Sequence, residues 1–451
     1  MSIEHELKRD VSIDLLLVTL TAFLDSNNIC YAIKEFSDNS CEKQKGKFID
    51  LFIAERDYKK VTYSFGRICT SSKFIPVQKI NLSATATRYV LAYQKPDEKG
   101  LDVVRVNIYR NYIINSRLYF STEELLKDRV YSTNRSYWTL NNIYNSVYIL
   151  VKAIENKCIA EDQFHNLCEC WKSASTAIKS YLKRYFNDES INTLADSLDN
   201  RNLNDLMDNI ELLTRNFKLS DSNSFSKLFL RNMSLLKGDL KPPGVVVGIL
   251  GRDGSGKSTF VNEITKSLGG CFNNTTTFKR HPKVFYKELI FKKEEDYHFS
   301  KPHLYKERGY VASFLKLNLL LIEFLVGYWL KVFPFKRKAY LILYDRYFID
   351  VLADPLRYRI KGNKLFIKMI HHILPQPDMW IILDLSTKVL LQRKQELTYE
   401  MSEKLRQEYL NLQKILSNCV VINNENEIQN TVDKATAHIL NYMHRKLPKF
   451  S

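Results

Sequence analysis

The chain has 451 residues, of which 67 are Lys or Arg and 50 are Asp or Glu, so its formal net charge is +17. This length predicts two or three domains, each large enough to enclose its own core. A 45% share of hydrophobic residues argues against wholesale disorder, and the 14 Gly and 11 Pro are too few for a fibrous or linker-rich protein. The excess of basic residues indicates an anionic partner: nucleic acid, a membrane surface or a phosphorylated small molecule.

The positive charge is concentrated in the C-terminal half. Residues 241–451 carry 34 basic and 20 acidic side chains, a net +14, whereas residues 1–240 carry a net +3. The anionic partner is therefore expected to bind within residues 241–451. Eight cysteines without a CxxC pair predict free or buried thiols in a reducing cytoplasm. The charged stretch MSIEHELKRD predicts no secretion signal.

Residues 1–125 are predicted to form an α+β module that begins with a helix at 13–27, where apolar residues recur at helical spacing. Strand-like runs follow at residues 30–34, 48–54, 88–94 and 101–109. Residues 126–240 are predicted to form a helical region, because apolar residues follow a heptad-like spacing and Pro is absent. We expect this region to be a structural spacer or an interaction bundle.

A third region, residues 241–451, is predicted to begin at the segment KPPG, just before the apolar strand 245–250. The next residues, 251–258, read GRDGSGKS and match the phosphate-binding pattern GxxxxGK[ST] in full. The strand before them and the helical run after them are the context that this pattern requires. The sequence therefore predicts a site for ATP and Mg²⁺ on an α/β domain with a parallel sheet flanked by helices.

Each residue type in this loop has a physical role. The glycines let backbone N–H groups turn toward phosphate, and the N-terminus of the following helix adds partial positive charge. Lys257 is expected to reach the β- and γ-phosphates, and the Ser258 hydroxyl to bind Mg²⁺. The residues predicted to contact the nucleotide are Gly251, Gly254, Ser255, Gly256, Lys257, Ser258 and Thr259.

Two further buried strands are predicted at 340–344 and 380–383. Ligands of open parallel sheets bind beyond the carboxyl ends of the strands. Asp345 and Arg346 end the first strand, so we expect Asp345 near Mg²⁺ and Arg346 near an acceptor phosphate. A strand-capping ion pair is the alternative.

More basic residues follow these strands. Arg357 and Arg359 are expected to grip an anion. Arg393 precedes a helical segment that carries Lys404 and Arg406, and a basic flap of this kind would stabilise charge during phosphoryl transfer. For Lys404 and Arg406, a solvated helix face with charge pairs is the alternative.

The C-terminal region resembles the thymidylate kinase family of P-loop phosphotransferases. The resemblance rests on GRDGSGKST at 251–259, DRY at 345–347, PDMWIILDLS at 377–386 and Arg393, and it covers most of residues 243–445. It implies a kinase of the nucleoside monophosphate kinase superfamily that uses ATP and Mg²⁺.

The resemblance also implies roles for single residues. Lys257 and Arg393 would act on the transferred phosphoryl group, and Arg346 on the acceptor phosphate. Asp253 would contact a sugar hydroxyl of the acceptor. Arg280 stands in FKRHP, the segment that takes the place of the family's REPG-type motif.

The chain departs from the family where thymine would be recognised. Phe260 replaces the usual Gln, and the apolar stretch 314–330 lacks the family's Arg and His. The segments DRYFIDVLADPLRYR and RKQEL more closely resemble thymidylate kinase-like proteins of bacterial surface-polysaccharide gene clusters. That similarity implies a sugar, a sugar phosphate or a glycan end as the acceptor.

The N-terminal module resembles the minimal nucleotidyltransferase fold in its segment GKFIDLFI, which contains Asp50. An active member needs a Gly-Ser loop and two or three carboxylates to hold two metals. Phe48 stands at one carboxylate position, no Gly-Ser precedes it, and Asp102 is the candidate for a further carboxylate. We expect a degenerate module that binds or positions a ligand.

The stretch 311–335 is apolar and long enough to span a membrane, but it carries Lys316, Glu323 and Lys331. Charges at such depth are costly, so a core helix is predicted. The alternative is a peripheral membrane contact that is helped by the basic residues 336–338.

Two other functions stay open. One is a catalytically vestigial nucleotide-binding scaffold or sensor, which the apolar 314–330 stretch and the degenerate N-terminal module favour. The other is a nucleic-acid end-processing kinase, which ranks last because no basic-aromatic recognition motif occurs. The expected partners are a nucleotide and a phosphate-accepting small molecule or glycan, and the sequence does not predict an oligomeric state.

Overall fold

The computed structural model describes residues 11–36, 47–83, 85–94, 101–114, 117–217, 242–284, 308–393, 397–425 and 427–447. They form two compact units: one holds the described residues up to 217 with residue 447, and the other holds those from 242 to 446. Both units mix helices and strands, and the second contains a parallel sheet. The division of the chain into three parts stays a prediction.

The N-terminal unit is built on a mixed sheet with two added hairpins. Its strands are β1 (Tyr31–Phe36), β2 (Lys47–Ile53), β3 (Ile75–Ser83), β4 (Ala86–Gln94), β5 (Leu101–Tyr109), β6 (Asn111–Ile114), β7 (Arg117–Ser121), β8 (Val130–Ser132) and β9 (Tyr137–Thr139). The main sheet has the order β1-β2-β5-β4-β3, in which only β2 and β5 pair in parallel.

Helices cover both faces of this sheet. They are α1 (Val11–Ser26), α2 (Glu55–Ser71), α3 (Thr122–Lys127), α4 (Asn142–Asn156), α5 (Glu161–Leu182), α6 (Asp188–Asp199) and α7 (Leu203–Asn216). Successive side chains of a strand point to opposite faces. In β2, Ile49 and Leu51 pack with the core of α1 and α2, whereas Phe48 and Phe52 pack with the core of α4–α7.

The C-terminal unit has a five-stranded parallel sheet. Its strands are β10 (Val245–Leu250), β11 (Thr275–Lys279), β12 (Leu341–Asp345), β13 (Met379–Asp384) and β14 (Cys419–Asn423), in the order β11-β12-β10-β13-β14. The predicted strands occur as β10, β12 and β13. Because all neighbours are parallel, the carboxyl ends of the strands lie at one edge.

Helices flank this sheet as well. They are α8 (Lys257–Leu268), α9 (Tyr310–Gly327), α10 (Phe333–Arg337), α11 (Asp350–Ala353), α12 (Lys364–Ile373), α13 (Thr387–Arg393), α14 (Tyr399–Asn411) and α15 (Ile428–Lys446). Short turns of other helix types cover Gly269–Cys271, Tyr328–Val332 and Leu412–Lys414.

The segment Tyr310–Arg337, which includes α9, is long and apolar enough to cross a membrane by length and composition. Its charged residues bind the backbone of their own unit, however. Lys316 Nζ donates to the Tyr358 carbonyl at 3.0 Å, and the Glu323 carboxylate accepts from the backbone N–H of Val284. Lys331 Nζ donates to carbonyls that follow β11. These bonds hold the segment in its unit, but about two thirds of its apolar window is not buried, so the prediction of a core helix holds for one face only.

Two expectations fail. Lys336 is buried, and its Nζ lies 2.7 Å from the Asp378 carboxylate, so it is not available to a membrane surface.

Cys158 is disulfide-bonded, whereas free thiols were expected. The free cysteines among the described residues are Cys30, Cys69, Cys168, Cys170, Cys271 and Cys419.

Candidate functional site

The loop between β10 and α8 has backbone angles that glycine adopts most readily. Gly251, Gly254 and Gly256 have φ values of 147°, 83° and 88°, where side chains are disfavoured. A Cβ on Gly251 would also lie only 2.8 Å from the carbonyl oxygen of Leu383. The loop therefore turns tightly in front of the N-terminus of α8, the setting in which backbone N–H groups bind phosphate.

Lys257 is the first residue of α8 and is buried beneath the loop. Its Nζ donates to the carbonyl oxygens of Gly251 at 3.0 Å and Arg252 at 2.7 Å. Burial lowers the pKa of Lys257 to about 7, and the positive charge of Arg346 acts in the same direction. The ammonium group is thus held against the loop that would receive the phosphates.

Arg252 fastens the loop to the elements that follow β13. Its Nη1 donates to the Thr387 hydroxyl at 2.9 Å and to the Ser402 carbonyl and hydroxyl at 3.0 and 2.9 Å, and its Nη2 donates to the Leu385 carbonyl. Burial lowers the pKa of Arg252, although nearby acidic groups oppose the effect. The hydrogen bonds of this guanidinium go to protein groups, so we assign it a structural role and not a role in binding a ligand.

Asp345 and Ser258 can supply oxygen ligands to Mg²⁺. Asp345 ends β12 in register with Ile249 of β10, beside the loop. Its Oδ1 is buried and has no hydrogen-bond partner in the part of the chain described, which is unusual for a carboxylate oxygen and suits a cation or its bound water. Ser258 is exposed at the start of α8. Such residues fit Mg²⁺, which keeps several waters beside one or two protein ligands.

The two other loop residues predicted to contact the nucleotide differ in burial. Ser255 is buried, and its Oγ has no hydrogen-bond partner within the described ranges. Its carbonyl accepts from Asn424 Nδ2 at 2.8 Å, which ties the loop to the end of β14. Thr259 is exposed.

Arg346 lies at the centre of a buried hydrogen-bond network. Its Nη1 donates to Asp350 Oδ1 at 3.0 Å and to the Tyr409 hydroxyl at 2.9 Å, and Nη2 donates to Asp253. The Tyr409 hydroxyl donates to Asp350 Oδ1 at 2.7 Å. Burial would lower the pKa of Arg346, but Tyr409 and the two carboxylates keep it well above its ordinary value. The guanidinium is therefore charged and fixed in position.

Asp253 joins this network to Arg357, because its second oxygen accepts from Arg357 Nη1. Burial alone would raise the pKa of Asp253. The charges of Arg346, Arg357 and Lys257 instead hold it well below the ordinary value of a carboxyl. The structure thus brings Asp253 together with three basic side chains, Arg346, Arg357 and Lys257, beside the carboxylate of Asp350.

Tyr358 was not predicted from the sequence. Its hydroxyl is buried without a hydrogen-bond partner among residues that the structure describes. Burial and Asp350 raise its pKa, while the charges of Arg346, Arg280 and Arg357 oppose the rise. Arg280 follows β11, and its backbone N–H donates to the backbone carbonyl of Asp345 at 3.0 Å.

The remaining predicted basic residues are less centrally placed. Arg359 is half-buried, and its carbonyl accepts from the Arg308 N–H at 3.3 Å. Arg393 ends α13 with an exposed side chain, and Lys404 is exposed on α14. Arg406 instead binds both oxygens of the Asp384 carboxylate, at 2.8 and 2.7 Å, so the alternative of a charge pair is correct for it.

A second polar centre lies in the N-terminal unit around Asp50, which is fully buried on β2. Its carboxylate accepts from Asn107 Nδ2 at 2.6 Å, the Tyr148 hydroxyl at 2.5 Å and Lys152 Nζ at 2.7 Å. Asn107 of β5 stands directly opposite Asp50, whereas Asp102 lies near the start of that strand. The expectation that Asp102 supplements Asp50 is therefore wrong, and an ammonium group occupies the place beside Asp50.

If the loop binds ATP as the sequence predicts, the affinity should fall as the pH rises through about 7, because the protonated form of Lys257 binds phosphate and burial lowers its pKa to about 7. Above that pH, ATP binding must be accompanied by proton uptake at Lys257. Calorimetric titration at pH 8 in buffers of different ionisation enthalpy measures this uptake. Lys257→Met should take up fewer protons than wild type, and equal uptake would contradict the prediction.

Comparison with known proteins identifies sequence similarity to one kinase. The chain is 28% identical over 175 residues to a probable thymidylate kinase 1 of Saccharolobus solfataricus. The matched residues make up 38% of this chain and 83% of that protein. No family model matches the chain.

Two solved structures were also compared. Thymidylate kinase from Ehrlichia chaffeensis has 18% identity and a TM-score of 0.31, and the match covers 43% of this chain and 98% of that one. Thymidylate kinase from Candida albicans has 18% identity and a TM-score of 0.32, with coverage of 45% and 93%. Both scores are too low to establish a shared fold.

Proposed function

We propose that this protein is an ATP- and Mg²⁺-dependent phosphotransferase, a kinase whose acceptor carries an anionic group. The observation that carries the proposal is the cluster of Asp253, Arg346 and Arg357 beside the phosphate loop. The loop suits a triphosphate, and the arginines suit a second phosphate next to it. The similarity to a probable thymidylate kinase supports a nucleotide kinase of the P-loop type.

The donor half of the reaction falls to the loop. Its N–H groups and the N-terminus of α8 hold the phosphates of ATP, and Lys257 balances charge on the transferred group. Ser258 and Asp345 would hold Mg²⁺, which supplies neutralisation of charge on the β- and γ-phosphate oxygens when bound. Arg393 would join these groups from the end of α13.

The acceptor half falls to the arginine cluster. Arg346, fixed by Asp350 and Tyr409, would bind the acceptor phosphate together with Arg357. Asp253 would accept a hydrogen bond from an acceptor hydroxyl. Because its pKa is low, Asp253 is suited to positioning and is a poor general base. Phosphoryl transfer depends mainly on positioning and electrostatics, so no strong base is required.

We propose a nucleotide, a sugar phosphate or a glycan end that carries an anionic group as the acceptor. The departures at Phe260 and in the 314–330 stretch argue against thymine recognition. The likeness of the DRYFIDVLADPLRYR segment to proteins of surface-polysaccharide gene clusters points to a cytoplasmic step in building such a polymer. Arg280 and Arg359 would extend the anionic subsite.

Arg357→Ala is expected to raise the KM for the acceptor by about tenfold or more, because it removes one charge-assisted contact to a phosphate. ATP binding should change little. Arg357 is a better test than Arg346, whose loss would also leave Asp350 without its cation. Steady-state assays over a panel of nucleotides, sugars and sugar phosphates provide the measurement.

Arg445→Ala is the matched control, since Arg445 is an exposed arginine on α15. An unchanged acceptor KM in Arg357→Ala, measured with the acceptor that wild type phosphorylates, would overturn the placement of the acceptor. If no acceptor in the panel yields a product despite tight ATP binding, the proposal that the protein is a kinase is wrong.

A nucleotide-binding scaffold without phosphoryl transfer is the second candidate. It is favoured by the engagement of Arg406 with Asp384 and by the exposure of Arg393. Stoichiometric ATP binding with no product from any acceptor would support it.

A further inference from the structure

The outer face of α9 is a continuous apolar stripe. Val311, Leu315, Leu319 and Ile322 recur at spacings of three and four residues, and their side chains are 75%, 58%, 39% and 50% exposed. Residues with this spacing lie on one face of a helix. Large contiguous apolar surfaces of this kind mark interaction sites in soluble proteins.

Helix α9 is apolar on both faces, unlike an ordinary surface helix. Leu317, Leu320 and Phe324 are buried in the core of the unit, while the large apolar side chains of the stripe face outward. The charged residues Lys316 and Glu323 bind backbone groups of the same unit. A surface helix normally buries its apolar stripe and exposes its charges. The arrangement leaves a face that is chemically suited to an apolar environment.

Helix α12 extends this face. Leu365, Met369 and Ile373 follow a four-residue spacing and are 71%, 52% and 55% exposed. The rings of Phe314 on α9 and Phe366 on α12 stack with centroids 5.4 Å apart, so the two helices meet next to their exposed apolar residues. Together they form one surface, which we call the apolar platform.

Aromatic and basic residues lie at the ends of the platform. Tyr310 and Trp329 are exposed near the two ends of α9, and such amphipathic rings favour the interface between lipid and water. Lys361 Nζ lies 4.9 Å from the centre of the Tyr310 ring. Arg337 and Lys338 are exposed beyond the other end. We call Lys361, Arg337 and Lys338 the basic rim of the platform. Their positive charge suits anionic headgroups.

We infer that the apolar platform docks on the surface of an anionic lipid bilayer. Its two helices lie in the plane of the interface, with the apolar side chains in the acyl boundary and the basic rim among the headgroups. The inward bonds of Lys316 and Glu323 keep α9 within its unit, so the helix lies on the membrane and does not cross it. Basic residues at both ends complement anionic lipid, which is why lipid is chosen over a second copy of the chain.

The test is flotation of the full-length protein with vesicles of phosphatidylcholine alone and of phosphatidylcholine mixed with phosphatidylserine. Wild type should bind the mixed vesicles, and more weakly as salt rises. The double variant Leu315→Glu with Ile322→Glu should bind more than about tenfold more weakly. Val18→Glu, a change at a 63% exposed apolar residue of α1, should bind as wild type does.

A second variant separates the charge from the apolar contribution. Arg337→Glu with Lys338→Glu should reduce binding to the mixed vesicles only, and circular dichroism should show that all variants are folded. Absence of wild-type binding to mixed vesicles, or equal loss in Val18→Glu, would overturn the inference. So would a dimer that Leu315→Glu with Ile322→Glu dissociates while vesicles remain unbound, because the occupant would then be a second copy.

Discussion

Lys257→Ala is expected to lower the rate of phosphoryl transfer by about 10²- to 10³-fold, the effect of removing one preorganised group that stabilises charge in a transition state. The ammonium of Lys257 is held 2.7–3.0 Å from two loop carbonyls and needs little movement to meet a phosphate. Because it is buried, water cannot take its place easily. The measurement is the turnover of ATP in the presence of the acceptor that the wild-type protein phosphorylates.

Lys266→Ala is the matched control for this experiment. Lys266 lies on the same helix, is exposed, and forms a surface ion pair with Glu263 at 2.7 Å. Its loss should leave turnover within about twofold of wild type, since exposed ion pairs contribute little. Turnover in Lys257→Ala equal to that of wild type would remove the catalytic assignment of the loop.

Lys152→Met is expected to destabilise the N-terminal unit by about 3–5 kcal/mol, because it leaves the fully buried Asp50 carboxylate without its cation. The ammonium and the carboxylate lie 2.7 Å apart, with side chains 7% and 0% exposed. The bonds from Asn107 and Tyr148 remain but cannot neutralise the charge. Thermal unfolding of the whole chain gives the measurement, and a transition that ATP does not shift would report this unit.

Two companions make the Lys152→Met result interpretable. Lys183→Met breaks an exposed ion pair with Asp188 and should cost less than about 1 kcal/mol. Adding Asp50→Asn to Lys152→Met removes the stranded charge and should recover much of the loss. If Lys152→Met is as stable as Lys183→Met, the ion pair is not what stabilises this centre.

The ion pair of Lys152 and Asp50 also argues against a two-metal site in the N-terminal unit. Two-metal catalysis needs several carboxylates around the ions, but Asp50 faces an amide at Asn107 and an ammonium at Lys152. Within the described residues no group of three His, Cys, Asp or Glu side chains can hold a metal ion. The likeness of this module to nucleotidyltransferases stays a prediction, and its polar centre favours a structural or binding role.

The proposed donor half of the site could be located from the sequence because its signals are local. The loop, its strand and its helix are contiguous in sequence, and Asp345 ends a strand that an apolar run identifies. In a parallel sheet these pieces meet at one edge whatever the loops between them do. The structure places Lys257 and Asp345 beside that loop, as this reasoning requires.

The residues of the proposed acceptor half could be located from the sequence only in part. Arg346 was assigned from its position at a strand end, but its partner Tyr409 lies on α14, far along the chain. Such pairings depend on tertiary packing and leave no spacing pattern in the sequence. The sequence assigns no role to Asp350, which lies in the segment DRYFIDVLADPLRYR, because nothing local distinguishes a buried carboxylate from an exposed one. For the same reason, the sequence could not predict that Lys316 and Glu323 of α9 bind backbone groups of their own unit.

The side chain of Arg252 couples the phosphate loop to α14. Arg252 is a loop residue, and its guanidinium donates to Ser402 of α14 as well as to Thr387 and Leu385. If α14 swings away, that buried cation loses partners, and an unpaired buried charge is costly. The loop and α14 are therefore expected to open and close as one cooperative unit, so that their backbone amides exchange with solvent together.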